Sequence, residues 1–134
     1  MNLADVMDEI AERLKVIDGL RTFGWPPGTI VPPAAIVYFP DEYTYDETYG
    51  RGMDRMTLPV TVAVSKADLR SARDRLAQYV DGSGDSSFKA VLESGTYTAF
   101  DAVRVMGAEI GEATIGGTEY YGATFDLDIV GSGS

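Results

Sequence analysis

The chain has 134 residues, 11 basic against 21 acidic side chains, a net charge of −10, and neither cysteine nor histidine. Its length suits one domain with a core of its own, and 45% apolar residues exclude a disordered acidic tail. The two missing residue types exclude disulfides, thiolate nucleophiles, zinc ribbons and imidazole ligands. The acidic balance argues against a protein that wraps duplex DNA, which needs clustered Lys and Arg against the phosphates.

The first residues, MNLADVMDEI, carry acids where a secretory leader needs a basic start and an apolar run, so none is expected. No stretch approaches the roughly 18 apolar residues of a membrane span. Residues 2–18 read as an amphipathic helix, with Leu3, Val6, Met7, Ile10, Leu14 and Ile17 at helical spacing. Asn2 and Asp5 have capping-box spacing, the acids precede Arg13 and Lys15 as the helix dipole favours, and Gly19 supplies a stop.

Five of the six prolines fall within residues 20–40, which must therefore be extended or turning. They never form a PxxP pair. Between them Ala34–Phe39 is a short apolar run that predicts a buried strand. Residues 41–55, DEYTYDETYGRGMDR, show no apolar face and read as a solvated loop or a projecting arm. Tyr43, Tyr45, Tyr49, Arg51 and Arg55 make it a candidate interface, because Tyr and Arg anchor protein contacts.

Residues 56–65 alternate strictly, with Met56, Leu58, Val60, Val62 and Val64 on one side. Pro59 cannot donate to a ladder, which predicts a sheet edge on its side near that point. A helix follows at about 66–80, with Ser65 and Asp68 at capping-box spacing and Leu69, Ala72, Leu76 and Val80 on its apolar face. Its other face holds Arg70, Arg73, Asp74 and Arg75, the densest basic cluster in the chain and best read as ion-pairing. Asp85 is placed to cap a short helix carrying Phe88, Val91 and Leu92, which Gly95 ends.

The remainder predicts two strands. Residues 99–111 set Phe100, Ala102, Met106, Ala108 and Ile110 against Val103 and Val105 on the other side. Gly116-Gly117 suits a two-residue hairpin turn. The strand at about 118–130 buries Tyr121, Ala123, Phe125, Leu127 and Ile129 and exposes Tyr120, Thr124, Asp126 and Asp128. The expected fold is α+β, order α-β-β-α-α-β-β, with helices packed on one face of a mainly antiparallel sheet. A single domain spans 1–130, and the GSGS at 131–134 has nothing to pack against.

Little in the sequence carries chemistry. Ser86–Lys89 matches an S-x-x-K pattern without its partner motifs, and Gly111–Thr118 mimics a phosphate loop with Gly117 where Lys is required. Asp41, Glu42, Asp46 and Glu47 lack the glycine and bidentate Glu of a calcium loop. No catalytic residue, metal ligand or cofactor is expected, although carboxylate-pair hydrolysis stays formally open.

Three stretches together resemble the small tail-terminator proteins of long, non-contractile-tailed bacteriophages of actinobacterial type. They are LADVMDEIAERLKVIDGLR running into PPAAIVYFP, then YGRGMDRMTLPVTVAV, then RSARDRLAQYVDGSGDSSFKAVLESG with a closing hairpin that ends FDLDIVG. The resemblance covers nearly the whole chain as a pattern of phrases. It implies a virion protein, made in the host cytoplasm, that forms a ring of usually six copies on the head-proximal end of the tail tube. Such a ring stops tube polymerisation and offers the surface to which the head docks. Its implied partners are further copies of itself, the tail tube protein and a head-side connector protein, with no membrane and no active site.

DNA would pass through the channel without specific binding. Six copies at −10 each would carry about −60, a field that repels phosphate, and Asp126 and Asp128 are candidate lumen residues. The alternatives are another head–tail connector (head-closure or adaptor) ring or, from a different class, a small acidic ligand-binding or carboxylate-dependent enzyme domain.

Overall fold

A computed structural model describes residues 1–45 and 53–132. Helix α1 runs Leu3–Leu14, capped by Asn2, whose Oδ1 accepts from the Asp5 amide at 3.1 Å. Val6, Met7, Ile10, Ala11 and Leu14 are its buried face. The helix ends before the predicted stop, but a turn in which the Ile17 amide donates to Leu14 O at 3.1 Å keeps Ile17 in the core.

Strand β1 (Arg21–Phe23) pairs in parallel with β2 (Ala34–Val37). The proline-rich residues between them turn the chain back, because proline can neither donate nor continue a helix. All of β2 is buried, Ala35 and Val37 towards the helices and Ile36 in a second apolar cluster on the other face. Burial on both sides explains why this strand reads as a continuous apolar run.

Strand β3 (Glu42–Thr44) and β2 lie end to end along one side of β4 (Met53–Val64), both antiparallel to it. The far side of β4 pairs with β6 (Thr118–Ser132), which pairs in turn with β5 (Ala102–Ile115). The sheet order is β1-β2-β4-β6-β5, with β3 beside β4. Two short strands, β1 and β3, thus join the elements expected from sequence.

Pro59 lies inside this sheet, not at an edge. It sits where β2 gives way to β3: the Tyr38 amide donates to Pro59 O at 3.0 Å and the Asp41 amide to Thr57 O at 3.0 Å. The nitrogen that cannot donate faces that break in the neighbouring ladder, so the sheet loses little by it.

Three helices cover one face of the sheet. Helix α2 (Leu69–Val80) is capped by Asp68, not Ser65; its carboxyl accepts from the amides of Arg70 and Ser71 at 3.0 and 3.3 Å. Helix α3 (Phe88–Glu93) is capped by buried Ser87 in place of the expected Asp85. Phe88 stacks on Phe125 at 4.6 Å between ring centres and meets Tyr79 edge-on at 5.4 Å, which locks α2 and α3 onto β6.

The β5–β6 turn uses Gly116 and Gly117 at φ +59° and +80°, the left-handed pair that a tight hairpin of this twist requires. Two details of the hairpin depart from the predicted alternation. An irregularity between Val105 and Gly107 absorbs one residue. Val103 and Val105 before it and Ala108 and Ile110 after it therefore all face the helix side, opposite Ile129, Leu127, Phe125 and Ala123. Met106, the extra residue, is left exposed. Tyr120 is buried on the other face with Ile36, Ala63 and Ile115, under the segment that carries Phe23 and Ile30. Strand β6 reaches Ser132, whose carbonyl accepts from the Met1 amino group at 2.7 Å, so part of the expected loose tail is paired.

Candidate functional site

The candidate interface residues fall into two groups on opposite faces of the sheet, and Tyr49 and Arg51 lie outside the described residues. Tyr43 stands opposite Met56 on the helix side and packs against the main core. Its hydroxyl donates to Asp54 Oδ2 at 2.9 Å, and Asp54 is itself buried. Burial and the Asp54 carboxyl push the Tyr43 hydroxyl up to about 12. Tyr43 therefore has a role in the fold, contrary to the expectation that this segment has none.

Tyr45 is 73% exposed, with its ring 4.9 Å from that of Tyr43. Nearby Asp41 and Glu42 are exposed as well. Arg55 projects from the opposite face, where its Nε lies 3.1 Å from Asp128 Oδ1. Arg104 stands beside Asp128 on β5, and Asp126 lies between Pro59 and Gly107. The open sheet face that carries both candidate lumen acids is thus mixed in charge, with Arg55 and Arg104 flanking Asp128.

The fold brings together one feature that sequence reasoning missed. Helix α2 packs over β4 and β6, and α3 over β5, but the second half of β5 is left uncovered. A groove of about 640 Å³ results, walled by Leu69, Leu76 and Val80 of α2 and by Ile110 and Tyr121 of the hairpin. Leu69, from the predicted apolar face of its helix, and Ile110, from one side of its predicted strand, are 63% and 64% exposed. Arg73 borders the groove and pairs with adjacent Asp74 at 2.8 Å. Lys66, held by Glu112 at 2.9 Å and Glu119 at 3.3 Å, sits 4.9 Å from the Tyr121 ring centre. The available signal was Met106, Ala108 and Ile110 recurring among glycines, more apolar surface than three helices can cover.

The two motif look-alikes lie as follows. Gly111–Thr118 is the β5–β6 turn with its flanks, and Lys89 pairs with Glu93 at 2.8 Å while Ser86 precedes the helix. Among the described residues no group of three or more acidic side chains is placed to hold a metal ion. No described helix is long and apolar enough to cross a membrane. No protein-family model and no curated protein matches the chain.

Proposed function

We propose that this chain is a structural subunit of a bacteriophage tail, forming a ring at the head-proximal end of the tube that stops tube growth and receives the head. The observation that carries this reading is a pair of unlike exposed surfaces at opposite flanks of one sheet. One is the acidic β3 flank with Tyr45; the other is the apolar groove beside β5. Unlike surfaces joined head to tail close into a ring when the rotation between copies closes and build a filament when it does not, whereas a two-fold dimer uses one self-complementary patch. Further support comes from the resemblance of nearly the whole chain to tail terminators and from the net charge of −10.

In the ring, the open sheet face with Asp126 and Asp128 is the proposed lumen side. Arg55 and Arg104 beside Asp128 make that face mixed in charge, so the repulsion of DNA rests on the net −10 of each copy and not on these two acids. Electron microscopy of phage assembled with and without the protein tests the function. Over-long tails in its absence are expected. Tails of normal length that lack heads would assign it to a head-side connector instead.

A further inference from the structure

The connector between α3 and β5, residues 94–101, belongs to no helix or strand, yet side chains of two helices hold it at several points. Glu9 and Arg13 stand one turn apart on α1 and reach it with opposite chemistry. The Glu9 carboxylate accepts from the Thr98 amide at 3.0 Å, the Ala99 amide at 2.9 Å and the Thr98 hydroxyl at 2.6 Å. The Arg13 guanidinium donates to Val91 O at 2.8 Å and to Ser94 Oγ at 3.1 Å, where α3 ends.

Past the connector a second carboxylate repeats the arrangement. Glu93 Oε2 accepts from the Val105 amide at 2.9 Å and from Lys89 Nζ at 2.8 Å, which fixes the start of the outermost strand to α3. Among the described residues, backbone-to-backbone hydrogen bonds hold only the ends of the connector, the Gly95 amide on Leu92 O and the Asp101 amide on Val130 O. Phe100 is buried and stacks on Tyr97 at 4.3 Å between ring centres, and both pack against the main core.

We propose that residues 94–101 form an acid-released strap: with Glu9 and Glu93 ionised it is clamped over the core, and with both protonated it opens as one unit, uncovering Tyr97 and Phe100 while the sheet stays folded.

A protonated carboxyl loses the charge that makes these hydrogen bonds strong. Burial raises the pKa of Glu9, but the bonds from Thr98 and Ala99 outweigh it and hold it below 4.5; Lys89 holds Glu93 below the same value, with the Val105 amide and Arg104 adding to it. Both clamps are therefore complete above about pH 4.5 and are lost as pH falls through the folded values. The other charged or titratable groups facing them keep their state in this range. These are Arg13 of α1 and Tyr97 of the connector near Glu9, and Lys89 of α3 and Arg104 of β5 near Glu93.

Amide NMR on the whole chain tests the strap. Between about pH 6 and about pH 3.5, hydrogen exchange at Thr98, Ala99 and Val105, corrected for its intrinsic pH dependence, should rise about tenfold or more, while the Leu127 amide of β6 keeps its protection. Glu9→Gln/Glu93→Gln should show the same fast exchange at neutral pH, and chymotrypsin should cut it after Tyr97 or Phe100 where the wild type resists. Exchange that rises only together with that of Leu127, in acid or in the variant, would mean global unfolding and overturns the proposal. Fast exchange at Thr98 and Ala99 with Val105 still protected overturns it too, since the two carboxylates would then hold separate contacts. A double variant that exchanges like the wild type at neutral pH does the same.

Discussion

The Tyr43 hydroxyl donates a 2.9 Å hydrogen bond to the carboxyl of Asp54, a residue only 4% exposed in the strand that returns from the tyrosine-rich segment. Tyr43→Phe removes a donor from a buried polar group, at a cost of about 1–3 kcal/mol. Thermal unfolding should show a fall of several degrees, whereas Tyr45→Phe should leave the midpoint unchanged. Equal midpoints for the two variants would contradict the division of labour between these tyrosines. It follows that a test of assembly should alter Tyr45 and spare Tyr43.

Glu9 ties α1 to the loop before β5. It accepts from the Thr98 and Ala99 amides at 3.0 and 2.9 Å and from Thr98 Oγ1 at 2.6 Å. Burial alone would raise its pKa, but these hydrogen bonds outweigh burial and hold it below the usual 4.5. A carboxyl depressed in the folded state stabilises fully above its unfolded value and loses that contribution as pH falls through the folded one. Below about pH 4.5 the wild type should therefore lose stability more steeply than Glu9→Gln. Melting curves recorded across that window decide the point; parallel profiles would refute it.

Ser87 caps α3 while fully buried: its Oγ accepts from the Ala90 amide at 3.1 Å and donates to the carbonyl of Asp81. Ser87→Ala leaves both groups short of a partner and should cost about 1–2 kcal/mol, read from urea denaturation with an unchanged slope. Ser86→Ala, one residue earlier, should cost less than half as much.

The two turn glycines separate conformation from contact. Gly117 needs only a left-handed backbone, and an added Cβ there meets nothing within 4 Å. Gly116 needs the same backbone and also lies against the carbonyl of Gly28 in the proline-rich segment. Gly117→Ala should cost about 1–2 kcal/mol, and Gly116→Ala distinctly more, because Gly28 must move as well. The order of the two unfolding midpoints is the measurement, and the reverse order would show that the turn does not dock on that segment.

If the groove is a surface and not an unfilled part of the core, its walls tolerate charge. Ile110→Asp should change stability by no more than about 0.5 kcal/mol, whereas Leu127→Ala, fully buried under the helices, should cost about 2–5 kcal/mol. A large loss at Ile110 would mean that the exposed rim contributes to the fold.

What the sequence by itself determined was local. The stripe of α1, the alternation of β4 and β6, the Gly-Gly turn and the α+β class follow from spacing and backbone preference, and these act within a few residues. Tertiary structure decided which of those surfaces stay covered. The extra residue at Met106 turns what reads as two faces of β5 into one, and α2 stops short of β5, so Leu69 and Ile110 meet water despite a core-like pattern. Tyr43 and Tyr45 are alike in sequence, but pairing with β4 places one over Met56 and Asp54 and leaves the other free. Pro59 looks like an edge and lies in the middle of the sheet, because only the join of β2 and β3 across β4 puts a gap opposite its missing donor. Periodicity sets which side of an element is apolar; the long-range match between the widths of the helix layer and the sheet sets whether that side is buried.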